Sequence, residues 1–252
     1  MKQYNGEKYI VSFTTFGERV KHCEKMLKHF EKQTYKDFHL VITLAKDDLK
    51  FIDEKLQRRL DNNELELLVA DEDLKSHNKY FYVMQKYHDK PIITIDDDRL
   101  YDTDMVEKLV TTHEKNQLCV VANCAIKMRT YMSRLVPLSY WCERLEKNQI
   151  SHHAMAEGFG GILYPANCFT NLEAELDTIK KCIHDDDIFL KMLEIKHYIP
   201  VIATGNPGAA SEDNNIDEMQ PYNLHNTANA GNINRNNMCV MFEQELLKGF
   251  LL

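Results

Sequence analysis

Between residues 8 and 115 short apolar, β-branched runs alternate with segments of helical period, and this alternation leaves few folds open. KYIVSFTT (8–15), FHLVITLA (38–45), LELLVA (65–70) and PIITI (91–95) read as strands. Between and after them, RVKHCEKMLKHFEKQ (19–33), FIDEKLQRRL (51–60), NKYFYVMQKY (78–87) and DMVEKLVTTHEK (104–115) carry apolar residues at helical spacing. Strands joined through helices of this length form βαβ units. The expected fold is therefore α/β, with a mostly parallel central sheet covered by helices. Ligands of such sheets bind beyond the carboxyl ends of the strands.

Beyond residue 116 the pattern loosens. A strand-like CVVANCAI is followed by a long irregular stretch and then by EGFGGILYPA (157–166), whose three glycines mark either a bend beside a strand or backbone that approaches a ligand closely. The segment lacks the spacing of a dinucleotide-binding loop. No linker, repeat or low-complexity tract divides the chain, so one domain over 1–252 is expected, its second half covering the sheet.

The net charge of -8 argues against nucleic acid as a partner, since a phosphate backbone calls for clustered Lys and Arg. Seven cysteines without a C-x-x-C pair fit neither a disulfide framework nor a structural zinc site, and are expected to be reduced and mostly buried. The opening MKQYNGEKYIVSF has no apolar leader and no stretch approaches a membrane span, so the expected compartment is the cytoplasm.

Two acidic triplets stand out. Asp96, Asp97 and Asp98 directly follow the strand-like PIITI, at the end of the sheet where ligands bind. Three adjacent carboxylates repel unless a cation or donors compensate. In extended backbone Asp96 and Asp98 would share one side while Asp97 faces away. That pair suits Mg²⁺ or Mn²⁺, which take hard oxygen ligands and fill the shell with water and phosphate oxygens. The plainer alternative is a solvated, helix-capping turn. Asp185, Asp186 and Asp187 form the second triplet, in CIHDDDIFLKML. One of them can cap a helix, and another, facing the first triplet, could accept a proton from a sugar hydroxyl.

Taken in order, IVSFTTFGERV, EKQTYKDFHLVITLA, SHNKYFYVMQKYHDKPIITIDDDRLYDTDMVEKL, GFGGILYP and DDDIFLKML resemble the metal-dependent bacterial glycosyltransferases of the GT-A fold that build capsular polysaccharide or lipopolysaccharide. The resemblance covers about half the chain. It implies a Rossmann-like half over about 1–116 that binds a nucleotide-sugar donor, a UDP-sugar, and an acceptor and catalytic half over about 117–252. It implies Mn²⁺ or Mg²⁺ on Asp98, with Asp96 on the metal or the donor ribose, Asp97 in support, and His225 as a further ligand. Thr14, Thr15, Arg19 and Lys79 would lie near the donor. Asp187 would be the catalytic base, with Asp186 as the alternative register. Gly160, Gly161 and Trp141, with Tyr140 beside it, would face the acceptor, although core packing is the commoner use of such aromatics.

The activity so implied is transfer of a sugar, with inversion, to a glycan or lipid-linked acceptor in cell-surface polysaccharide synthesis. Peripheral contact with the inner face of the membrane would follow from a lipid-linked acceptor. The alternatives are a nucleotidyltransferase, for which SFTTFGER offers only one glycine to a phosphate loop, and a non-catalytic sugar- or protein-binding module.

Overall fold

The computed structural model describes residues 5–206, 214–222 and 232–252. The first half supplies β1 (Tyr9–Thr14), β2 (Phe38–Ala45), β3 (Glu66–Ala70) and β4 (Ile92–Thr94), with α1 (Cys23–Phe30), α2 (Glu54–Asp61) and α3 (Phe81–Lys86) in the crossovers. All pair in parallel, β1 lying between β2 and β4 and β3 outside β2. The chain thus winds outward from β1 through β2 to β3, then returns to the other side of β1 for β4. That reversal opens a crevice beyond the carboxyl ends of β1 and β4.

After α4 (Met105–Lys115) the second half adds β5 (Val120–Ala122), β6 (Ala125–Lys127), β7 (Thr130–Tyr131), β8 (Arg134–Leu135), β9 (Ile150–Ser151), β10 (Ala154–Ala156), β11 (Ile162–Tyr164) and β12 (Val201–Ala203). The main sheet has eight strands in the order β3-β2-β1-β4-β11-β5-β12-β9. Strand β11 runs antiparallel to both β4 and β5, with Ile162 opposite Thr94, so the residues entering β11 lie beside the residues leaving β4. The glycine-marked segment reaches the crevice by this register. Helices α5 (Leu176–Lys181), α6 (Asp186–Lys196), α7 (Ile233–Met241) and α8 (Glu243–Lys248) complete the described chain.

The central strands are largely apolar because both faces of the sheet are covered there. Ile10, Val41, Ile92, Val120 and Ile162 join the core on one face, while Val11, Phe13, Ile42, Ile93, Val121 and Leu163 join that on the other. Helix α6 is buried nearly all round, and two of its charged residues, Lys191 and Glu194, are each 1% exposed and paired at 2.9 Å. All seven cysteines are free, and Cys142 alone among them is exposed.

Two helices are shorter than their periodicity suggests, for tertiary reasons. The 19–33 segment forms a 3-10 turn over Gly17–His22 before α1, because Arg19 is drawn into the crevice. It ends at Phe30 because Gln33 is fully buried, its amide donating to the Asp102 carbonyl and accepting from Val106 N–H. The 78–87 segment is broken at Tyr80 between a 3-10 turn (Lys75–Lys79) and α3, where the Asn78 side chain accepts from Leu74 N–H at 3.0 Å.

At the other end of the sheet a buried Glu66 accepts from His39, Lys86 and, at 2.6 Å, the Tyr87 hydroxyl. Burial raises its pKa, but these donors outweigh that and hold it down at about 2, from an ordinary 4.5. A depressed carboxylate contributes its stability above the unfolded pKa and loses it as pH falls through the folded one. Glu66→Gln should therefore cost roughly 1–3 kcal/mol at pH 7 by urea unfolding. The gap to wild type should narrow steadily below about pH 4.5. A gap that stayed constant down to pH 3 would mean the charge contributes nothing.

Candidate active site

The crevice is built from six short pieces, one of which is the first turn of α7 with Arg235. Thr15 and Arg19 follow β1, Lys79 ends the turn before α3, and Asp96, Asp97 and Asp98 follow β4. Gly158 precedes β11, and Asp185, Asp186 and Asp187 open α6. Six carboxylates converge there, and three cations from separate chain segments hold them.

Lys79 joins the two triplets. Its ammonium, 5% exposed, lies 2.8 Å from Asp96 Oδ1 and 2.7 Å from Asp186 Oδ2. Burial lowers its pKa, but Asp186 and Asp96 raise it well above the ordinary lysine value, so the charge is fixed. Burial conversely raises the Asp186 carboxyl, and Lys79 reverses this and takes it to about 2. A solvated helix-surface lysine, the plain expectation for such a residue, is not what the structure contains.

Arg19 holds the other two members of the first triplet. Its Nε donates to Asp97 Oδ2 at 3.0 Å, and Nη2 meets both Asp97 Oδ1 and, at 3.2 Å, Asp98 Oδ2. The face of Phe16 lies 5.2 Å from its guanidinium. The expected alternation of Asp96 and Asp98 against Asp97 is thereby corrected: β4 stops at Thr94, the chain turns, and Asp97 and Asp98 share one guanidinium. Burial, with Asp97 and Asp96 alongside, pushes the Asp98 carboxyl up to about 6 despite Arg19 and Arg99.

In the second triplet Asp185 is the helix cap, its side chain accepting from Ile188 N–H at 3.0 Å. Asp186 is committed to Lys79. Asp187 Oδ1 accepts from Gly158 N–H at 3.1 Å and Oδ2 from Arg235 Nη2 at 3.2 Å. Arg235, from the first turn of α7, also pairs through Nε with Asp185. The side chain of Asp187 is the most accessible of the three, at 18% against 11% and 6% for Asp186 and Asp185.

Other expected site residues have different surroundings. Thr14 donates to the Thr43 carbonyl at 2.8 Å and so serves the sheet, whereas Thr15 is buried beside Asp97, whose negative charge its hydroxyl favours. Gly160 and Gly161 are packing positions: a Cβ on Gly160 would lie 3.0 Å from that of Cys124, and Gly161 has φ +83° with Met105 Sδ 3.0 Å from its would-be Cβ. Trp141 is 3% exposed with its indole donating to the Val136 carbonyl, so its ring belongs to the core, not to an acceptor wall; Tyr140 beside it is 60% exposed. His225 lies outside the described residues.

Two site residues escaped the sequence reading. Gly158 is the glycine that touches the site, since a Cβ there would come within 3.0 Å of Asp187 Oδ1 and 3.1 Å of Lys79 Nζ. It could have been found only by knowing the register of β11 on β4. Arg235 lay in NINRNN, which reads as a polar loop; a lone arginine gives no signal without its partners.

Among the described residues, no group of three or more His, Cys, Asp and Glu side chains forms a ready metal cage. The donor set nevertheless fits a hard divalent cation. The Asp98 carboxylate meets Arg19 at 3.2 Å and resists ionisation in the site, as a carboxylate short of positive charge does. Mg²⁺ commonly takes only one or two protein carboxylates. Asp98, with Asp96 near it, would be the ligands.

No known protein family matches the sequence, and no curated protein matches it. Solved structures match more distantly. S. aureus TarS residues 1–349 in complex with UDP shares 15% identity at a TM-score of 0.48, over 78% of this chain and 58% of that one. The same TarS fragment in complex with UDP-GlcNAc gives 15% and 0.44, over 78% and 56%. CMP:2-keto-3-deoxy-manno-octonic acid synthetase complexed with CTP gives 9% and 0.43, over 78% and 88%. This chain thus spans somewhat over half the length of the TarS fragment it matches. Likeness at this level assigns no substrate and no chemistry.

If Lys79 is what allows Asp186 to be buried beside the partly exposed Asp96, Lys79→Met should destabilise the protein by about 3 kcal/mol or more, the usual cost of stranding a buried partner. Lys25→Met, which breaks a half-exposed pair with Glu218, should change it by less than about 1 kcal/mol. Chemical denaturation of both at pH 7 checks this, and equal effects would refute it.

Proposed function

We propose that this chain is a metal-dependent glycosyltransferase that moves a sugar from a nucleotide-diphosphate sugar, a UDP-sugar, to a glycan or lipid-linked acceptor, with inversion at the anomeric carbon. One observation carries the reading: two acidic triplets, one after β4 and one at the start of α6, meet through a single buried ammonium in the crevice where the strand order reverses. That arrangement offers cation-binding carboxylates on one side and a carboxylate able to take a proton on the other.

A bound Mg²⁺ or Mn²⁺ would offset the charge that develops on a departing diphosphate. Asp98 and Asp96 would hold it. Arg19 keeps Asp97 and Asp98 side by side, and Lys79 keeps the second triplet at a fixed distance from the first. Within that triplet Asp185 is spent on the cap and Asp186 on Lys79, which leaves Asp187 to accept the proton of the acceptor hydroxyl. Burial, followed by Asp186, raises the Asp187 carboxyl well above the ordinary range, and a stronger base is what an unactivated hydroxyl needs. Gly158 leaves room beside Asp187 that no larger residue would.

A lipid-linked acceptor, as in cell-surface polysaccharide synthesis, would place the protein at the cytoplasmic membrane surface. Among the described residues no helix is long and apolar enough to cross a membrane.

Asp98→Asn and Asp187→Asn should separate the two roles. With UDP-glucose and UDP-N-acetylglucosamine as probes, calorimetry should show Asp98→Asn losing the Mn²⁺-dependent part of nucleotide affinity. Asp187→Asn should keep that affinity while turnover falls by roughly 10²–10⁴-fold. Wild-type turnover in Asp187→Asn, with Asp186→Asn dead, would move the base by one residue. Wild-type behaviour in all three variants would end the proposal.

A further inference from the structure

We infer that Arg235 is a positioning residue, which fixes the carboxylate of Asp187 in one orientation and links the seating of α7 to the readiness of the site. The inference rests on the reading of Asp187 as the base.

Its support is geometric. Asp187 is gripped from two sides, Oδ1 by the Gly158 N–H at 3.1 Å and Oδ2 by Arg235 Nη2 at 3.2 Å. A carboxylate bonded through both oxygens cannot turn about its Cβ–Cγ bond without breaking one contact. The second arm of the same guanidinium, Nε, pairs with Asp185, which is itself held as the cap of α6 by Ile188 N–H. The planar fork therefore references Asp187 to the fixed end of its own helix, which a flexible ammonium would do less well.

Arg235 is delivered from outside the sheet. Helix α7 is seated by the Leu138 N–H donating to Asn236 Oδ1 at 2.8 Å and by Met238 and Cys239 in the core. A shift of that helix would carry Arg235 with it, and so alter its contacts to Asp187 and Asp185. The charged groups around Asp187 are Asp185 and Asp186 from its own helix, Lys79 from the turn before α3, and Arg235 from α7; the buried Tyr164 of β11 lies nearby. Arg235 and Lys79 oppose the proton affinity that burial and the two neighbouring acids confer.

The test pairs a measurement that needs no donor with one that does. Carboxyl ¹³C NMR titration of the full chain should show the Asp187 midpoint rising by about 1–3 pH units in Arg235→Gln, the usual influence of one adjacent arginine. Arg235→Lys, which keeps charge but not the fork, should give a smaller rise and guards against misfolding of the glutamine variant. In UDP-sugar turnover with Mn²⁺, Arg235→Gln should lower kcat by about 10²-fold through misplacement of the base, with donor Kd unchanged and partial recovery in Arg235→Lys. An Asp187 midpoint that does not move in either variant overturns the inference. So does a donor Kd that weakens in proportion to kcat. Asp187→Asn run alongside keeps the two readings apart: if it turns over donor at the wild-type rate, the base assignment fails whatever Arg235 does, and if it is dead while Arg235→Gln is normal, only the positioning role fails.

Discussion

A single buried ammonium decides how the two halves of this molecule meet. Lys79 sits on a turn of the first half, yet one of its partners, Asp186, opens a helix of the second, and the other, Asp96, leaves the central strand β4. Without that charge a buried carboxylate, Asp186, and a partly exposed one, Asp96, would lie close together uncompensated, at a Coulombic and desolvation cost. The same ammonium crowds position 158, where a Cβ would come within 3.1 Å of it.

The remaining charges follow from the same constraint. Arg19 takes Asp97 and Asp98 of the first triplet and Arg235 takes Asp185 and Asp187 of the second, so that every acid in the crevice has a cationic neighbour but the acids still outnumber the cations. The surplus settles on the two carboxyls whose proton affinity is raised most visibly at the crevice wall, Asp98 and Asp187. A site with such a surplus is poised to accept a positive partner at one position and a proton at the other.

Much of the sheet was legible in the sequence because a strand covered on both faces is largely apolar; FHLVITLA became β2 with the bounds its composition implied. The two triplets were legible as unusual charge. Their internal geometry was not. Alternation of side chains holds only while the chain stays extended, and β4 ends two residues before Asp96. Helix ends were misjudged where a buried polar side chain outweighed local periodicity, Gln33 through a distant partner and Asn78 through the preceding turn. Trp141 and Gly160 looked like ligand contacts by type, yet type says nothing about which way a residue faces. Arg235 was invisible because its meaning lies wholly in partners about fifty positions earlier in the chain.

The antiparallel strand β11 has a consequence for how the chain can be assembled. It is inserted between β4 and β5, two strands that it follows in sequence, so β4 lacks its second neighbour and β5 its first until residues 162–164 arrive. During synthesis the nascent first half must wait with the flank of β4 open, an unpaired edge of the kind that invites pairing with other chains. The closing step joins segments about seventy residues apart and is slow for that reason. The same wedge makes the molecule hard to cut in two: a fragment ending after β5 would keep the first acidic triplet but lose the strand that flanks it, whereas a break placed in an exposed loop, leaving both pieces to associate, would keep the wedge in place.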